Sequence, residues 1–130
     1  MTTKITDPDI AAIYQAASDY YGGWYAADVE RMDRCLHPGL AKRAVRKDEK
    51  GKDFLHHLSK EQMLEKTQEG GGSDIPAEKQ RYEITLLDRY EEIAAVKVVA
   101  YEYVDYLHLA RQDGRWSIVN ALWTDNREKS

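Results

Sequence analysis

Apolar positions recur in two rhythms along this chain, helical in the first half and strand-like in the second. Ile10, Ile13, Ala17, Tyr20, Tyr21 and Trp24 return at the three-and-four spacing of one helix face, with Tyr14 on its border. Asp7-Pro8-Asp9 predicts where that helix starts: Asp7 caps, Pro8 takes the first helical position and Asp9 suits the dipole. Gly22-Gly23 weakens it near its end. Asp28 predicts the cap of a short second helix through Val29, Met32 and Cys35, stopped by His37-Pro38-Gly39. A short strand around residues 42–46 and a turn at Glu49-Lys50-Gly51 follow. Ser59 with Gln62 three residues on forms a capping box for a third helix through Met63, Leu64 and Thr67. Gly70-Gly71-Gly72 ends it, and residues 70–76 read as a flexible loop.

From residue 81 the period falls to two. Residues 81–88 read as one strand, and residues 93–105, extended through 112, as a second. A strand that long must bend or carry a bulge, because sheets twist. Asp113-Gly114 predicts a tight hairpin turn into a last strand over 115–123. Strict alternation there puts Trp116, Ile118, Asn120 and Leu122 on one face and Ser117, Val119, Ala121 and Trp123 on the other. Residues 126–130 read as a frayed tail. Three helices followed by an antiparallel meander imply an α+β half-barrel, a cone of curved sheet with helices across its concave side and one open end. At 130 residues the chain is expected to form one domain over 1–130.

Composition adds exclusions. The net charge of -4 lacks the basic face that nucleic acid or an anionic membrane requires. No apolar run approaches a membrane span of about 18 residues. The polar first residues show no signal-peptide core, and a lone cysteine cannot form an internal disulfide, so the cytoplasm is expected. Cys35, at helical spacing from Met32, reads as a buried structural thiol. Four histidines and one cysteine make no zinc spacing, and the glycine run lacks the Lys-Ser/Thr of a phosphate loop, so neither metal nor cofactor is expected. The unusual figure is aromatic: nine Tyr and three Trp beside one Phe. Side chains with an apolar body and a polar handle suit a lining wetter than an ordinary core.

Three segments together are recognisable. They are Tyr20-Tyr21-Gly22-Gly23-Trp24-Tyr25-Ala26-Ala27-Asp28 with Arg31-Met32 and Leu36-His37-Pro38, then Val104-Asp105-Tyr106-Leu107-His108-Leu109, then Asp113-Gly114-Arg115-Trp116-Ser117-Ile118-Val119-Asn120. Over residues 10–123 the chain resembles the nuclear-transport-factor-2-like (NTF2-like) superfamily, and within it the small bacterial proteins of the lumazine-binding branch, near the SnoaL-like polyketide cyclases. The resemblance implies a cone-shaped, cystatin-like α+β fold, a pocket between helices and sheet, and a homodimer through the sheet. It implies no single activity, since isomerases, dehydratases, cyclases, epoxide hydrolases and dimerisation modules share this scaffold.

Several residues have the chemistry for a site. Asp105 and His108 lie three apart on a strand and would share a face only across a bulge; together they would make an acid–base pair near neutral pH. His37, at a helix end, would serve the pocket mouth, and Arg43 or its neighbour Arg46 on a short strand would bind an anionic or carbonyl group of a ligand. Tyr14, Tyr20, Tyr21, Trp24, Trp116 and Asn120 complete the candidate ligand-binding set. Tyr101, Tyr103 and Trp123 are candidates for a partner-facing surface, and His56-His57 reads as a solvated loop. The leading expectation is a dimeric protein binding a small, mostly apolar organic ligand. Its rivals are a cofactor-independent isomerase, dehydratase or cyclase, and a dimerisation module with a vestigial pocket.

Overall fold

In the computed structural model, which describes residues 7–128, the elements run α1 (Pro8–Ala26), α2 (Val29–Cys35), β1 (Leu36–Lys47), β2 (Asp53–Leu58), α3 (Lys60–Gln68), β3 (Tyr82–Tyr90), β4 (Ile93–Ala100), β5 (Tyr103–Gln112) and β6 (Arg115–Asp125). The expected N-terminal sequence without a signal core lies mostly outside the described residues, as does the end of the expected frayed tail. The three helix starts are capped as their sequences predict. Asp7 Oδ1 accepts from the Asp9 and Ile10 amides, Asp28 from the Arg31 amide, and Ser59 and Gln62 bond reciprocally.

The α+β architecture is the expected one: one six-stranded curved sheet, ordered β2-β1-β6-β5-β4-β3, with helices on its concave side. Its order in the chain differs from three helices followed by a meander. β1 and β2 precede α3, and β1 lies parallel to β6 while the other pairs are antiparallel. Leu36 leaves α2 directly into β1, so His37-Pro38-Gly39 belongs to an irregular strand start. His56 and His57 lie on β2, not in a loop.

The expected long strand is two strands. The chain reverses between Ala100 and Tyr103, with Val99 opposite Val104. Nothing in Tyr101-Glu102 announces a turn, since neither Gly, Pro, Asn nor Asp is present. What holds it is tertiary: the Tyr101 amide donates to Arg81 O and the Asn126 amide to Glu102 O. Asn126 Nδ2 also donates to Ala100 O at 2.7 Å, so the predicted frayed tail is tied down at its first residue. The Asp113-Gly114 turn forms as predicted, with both residues at positive φ, the signature of a type I′ hairpin.

One irregularity decides which side chains face inward. His108 pairs with Asn120 but Leu109 pairs with Ile118, so Val119 is an extra residue on β6. Before this bulge Trp116 and Ile118 point inward; after it Ala121 and Trp123 do. On β5 alternation is unbroken, with Asp105, Leu107 and Leu109 inward and Tyr106 and His108 outward. The core lies between α1 and this sheet, centred on Ile13, Ala17, Tyr20, Met32, Leu36, Val96, Val98, Leu107 and Ile118.

Candidate functional site

At the open end of the cone, α1, α3, β1, β2, β5 and β6 surround a recess of about 350 Å³. Its walls are Tyr20, Tyr21, Trp24, Tyr103 and Trp123, with Leu58 and Met63 closing one side and Arg46, His56, Lys66 and Glu69 around them. Tyr103 and Trp123 meet edge to face at 4.5 Å between ring centres. Trp24 is steadied by its indole N–H donating to Glu102 Oε2 at 3.2 Å, and Glu102 also accepts from Tyr25 at 2.5 Å. Gly71 and Gly72 lie against the Trp24 ring; a Cβ on either would stand 2.4 Å from an indole carbon. The glycine run read as a flexible loop thus packs on the recess wall, where no larger residue fits.

Beneath the aromatic walls lies a buried polar chain. Asp105, 1% exposed, accepts from Tyr20 at 3.1 Å and from Tyr21 at 2.5 Å. Lys42, 6% exposed, donates to the Tyr20 hydroxyl. Burial raises the Asp105 carboxyl above the ordinary carboxylate range, although Lys42 and both tyrosines oppose the shift. Burial likewise lowers the Lys42 ammonium, against the pull of Asp105. Both tyrosine hydroxyls are raised, first by desolvation and then by Asp105, so they stay protonated and donate. The chain can pass hydrogen-bond polarisation, or a proton, from the recess to a carboxyl sealed behind it.

Of the residues singled out in sequence, Tyr20, Tyr21 and Trp24 line the recess, and Asp105 sits behind the first two. His108 does not join Asp105. With no bulge on β5 the two have opposite parity, and His108 faces outward, accepting from Asn120 Nδ2 at 3.2 Å. The bulge lies instead on β6, which is why Asn120 leaves the face it was expected to share with Trp116. The same shift brings Trp123 inward, away from the expected partner surface, and Tyr103, on β5 with the parity of Asp105, faces it there. Trp116 is buried far from the recess, where its indole donates to Asp9 at 2.9 Å. Tyr14 rests on β3, its hydroxyl accepting from the Leu86 amide. His37 accepts from the Gly39 amide and donates to Gln112, clear of the recess. Arg43 is exposed on the outer face of β1.

Of the arginine pair on β1 it is Arg46, not Arg43, that lines the recess; Lys42, His56, Lys66 and Glu69 are lining residues that sequence reasoning missed, and for Lys42 a signal was there. The signal was alternation: Leu40, Lys42, Ala44 and Arg46 share one side of β1, and the apolar members of that series mark it as inward. Arg46 lies 4.4 Å over the Trp123 ring and pairs with Asp125 at 3.0 Å. Trp123 carries a further feature: its buried indole N–H has no hydrogen-bond partner among the described residues. Among them, too, no cluster of three or more His, Cys, Asp or Glu could hold a metal ion, and no helix is long and apolar enough to cross a membrane.

A curved, mostly antiparallel sheet with helices across its concave side is the fold this chain shares with NTF2-like proteins. The solved structures it resembles include an NTF2-like protein of unknown function from Silicibacter pomeroyi, with TM-score 0.72 and 16% identity over 91% of this chain and 96% of that one. Another, from Shewanella baltica, aligns with TM-score 0.67 and 15% identity over 98% of this chain and 100% of its own. A ketosteroid isomerase-like protein from Erwinia carotovora aligns with TM-score 0.64 and 16% identity over 92% of this chain and 98% of that one. At such identities the likeness is one of fold. No match is found among the curated proteins. Residues 8–124 match a family model, and the chain belongs to the family described as "Putative lumazine-binding".

Proposed function

We propose that this protein binds a small planar organic molecule in the aromatic recess, with its ring system between the walls of Trp24, Tyr103 and Trp123. The observation that carries the reading is the unpartnered Trp123 indole N–H, since a buried donor costs free energy until an acceptor meets it. The recess volume falls in the range of small-molecule sites. Lys42, Arg46 and Lys66 against Glu69 favour a ligand with an acidic or carbonyl edge. Titration with lumazine and with salicylate, followed by tryptophan fluorescence, should show saturable quenching by at least one. Trp123→Phe keeps a ring and removes the N–H, and should weaken that binding by about 5–10-fold, the worth of one hydrogen bond. Absence of saturation by any planar acceptor-bearing probe would sink the reading.

The Lys42–Tyr20–Asp105 chain favours a second reading, cofactor-independent proton transfer to a bound ketone with Tyr20 as the contacting group. Its test is deuterium exchange at the α-carbon of a bound ketone, followed by NMR and abolished in Tyr20→Phe. We further infer a homodimer through the outer sheet face, where Tyr106 opposite Leu122 and Val45 opposite Leu55 are all exposed. A cytoplasmic location accords with the single thiol, Cys35, which is buried.

A further inference from the structure

Among the described residues, Lys42 is the one cation sealed among the recess aromatics. Its ammonium nitrogen lies 4.7 Å from the centre of the Tyr20 ring and 5.2 Å from that of Trp123, and Arg46 covers the same Trp123 ring. Buried lysines are normally held by a carboxylate in direct contact. Among the described residues Lys42 has none: its hydrogen bond goes to the Tyr20 hydroxyl, and Asp105 stands one hydrogen bond further on. The two ring faces and Asp105 favour the ammonium, but burial opposes it and the net direction is downward, toward the neutral amine. A neutral amine has a free electron pair, and this one lies at the recess lining, within reach of a bound molecule.

We propose that Lys42 is a nucleophile that captures the carbonyl carbon of a small aromatic aldehyde or ketone as an imine. The proposal rests on the reading that the recess binds a small planar molecule, and adds a class of ligand and a bond to it. The nitrogen electron pair forms the new C–N bond while the carbonyl π pair moves to oxygen, giving a carbinolamine. The C–O bond then breaks. Oxygen leaves as water with the two protons the amine has shed, and a C=N bond remains. No oxidant or reductant is required. Tyr20, which accepts from the nitrogen and donates to Asp105, supplies the path by which the nitrogen proton reaches the departing oxygen. The aromatic walls position the ring.

Benzoylacetone tests this, because an unprotonated amine converts it to a conjugated enaminone that absorbs in the near ultraviolet and survives proteolysis. Incubated with the folded protein at neutral pH, it should add one equivalent with loss of one water. Peptide mapping should place the adduct on Lys42, formed about ten-fold faster or more than at any other lysine. In urea the preference should vanish. Lys42→Met should lose the absorbance, while the wild type shows saturable fluorescence quenching by the diketone. If that variant does not fold, the wild-type map alone decides. No adduct, or an adduct spread over exposed lysines such as Lys47 and Lys66, overturns the proposal. With quenching still saturable, that result leaves the binding reading intact; with no quenching, both fall.

Discussion

At the scale of single residues, what matters is which side chains have their partners inside the molecule. Asp105 is the acceptor for two buried phenols, so Asp105→Ala strands both hydroxyls and should cost about 2–5 kcal/mol in urea unfolding. Asp105→Asn keeps an acceptor and should cost less. The sign of its pH dependence follows from the raised carboxyl. The wild type has the full benefit of this group below the ordinary aspartate value of about 4 and loses it as pH rises through the raised one. The Asn variant has no proton to lose there, so its deficit against wild type should shrink with increasing pH. Cys35 is quieter: burial pushes its thiol up to about 12, and it donates to Met32 O. Tyr20, Tyr21 and Trp24 were legible in the sequence because four aromatics in six residues cannot share one helix face. His37, Arg43 and Asn120 were misplaced because polarity at a strand or helix end shows neither parity nor direction.

Elements here are joined by clamps that no local pattern announces. Asp19 on α1 accepts from Arg31 and Arg34 of α2 and from Gln15, at 2.9–3.1 Å. Arg31 reaches it across Gly22, where a Cβ would stand 2.3 Å from the guanidinium carbon. The glycine pair that weakens the helix by propensity is what allows the second helix to close on it. Burial raises the Asp19 carboxyl, but the hydrogen bonds outweigh it and the net shift is downward. The stabilisation is therefore present above about pH 4 and lost as pH falls through the lowered value. Asp19→Asn should lose about 1.5–3 kcal/mol at neutral pH and little in acid, measured by thermal unfolding across pH. Most of that comes through Arg31, because Arg34 is 59% exposed and screened. Helix caps and the Asp113-Gly114 turn could be read directly, since their signals lie within four residues. The Tyr101-Glu102 reversal could not, because its support comes from Arg81 and Asn126, distant in the chain.

For the molecule as a whole, the sheet separates two surfaces with different chemistry. The concave side carries the recess and its polar floor; the convex side carries the exposed Val45, Leu55, Tyr106 and Leu122. If that convex side joins two copies, small-angle scattering at micromolar concentration should give twice the mass of one chain. Leu122→Glu should then return it to a monomer with unchanged helix and strand content. A monomeric wild type would refute the arrangement. The cone itself was legible from the order of rhythms and from the three recognisable segments. The insertion of β1 and β2 before α3 was visible only as a short strand, because β2 is exposed along most of its length and carries little apolar alternation.

The extra residue at Val119 sets a reading frame for everything after it on β6. It has no partner on β5, so the pairing that resumes at Asn120 is already that of a regular strand with Val119 left out. Deleting Val119 should therefore keep Trp123 inward and Leu122 outward, and ligand binding and pairing with them. One residue inserted after Asn120 and paired regularly would instead turn Trp123 out to solvent and Leu122 toward the helices. That insertion should cancel ligand binding and pairing together, a joint loss that no single substitution on either face should reproduce.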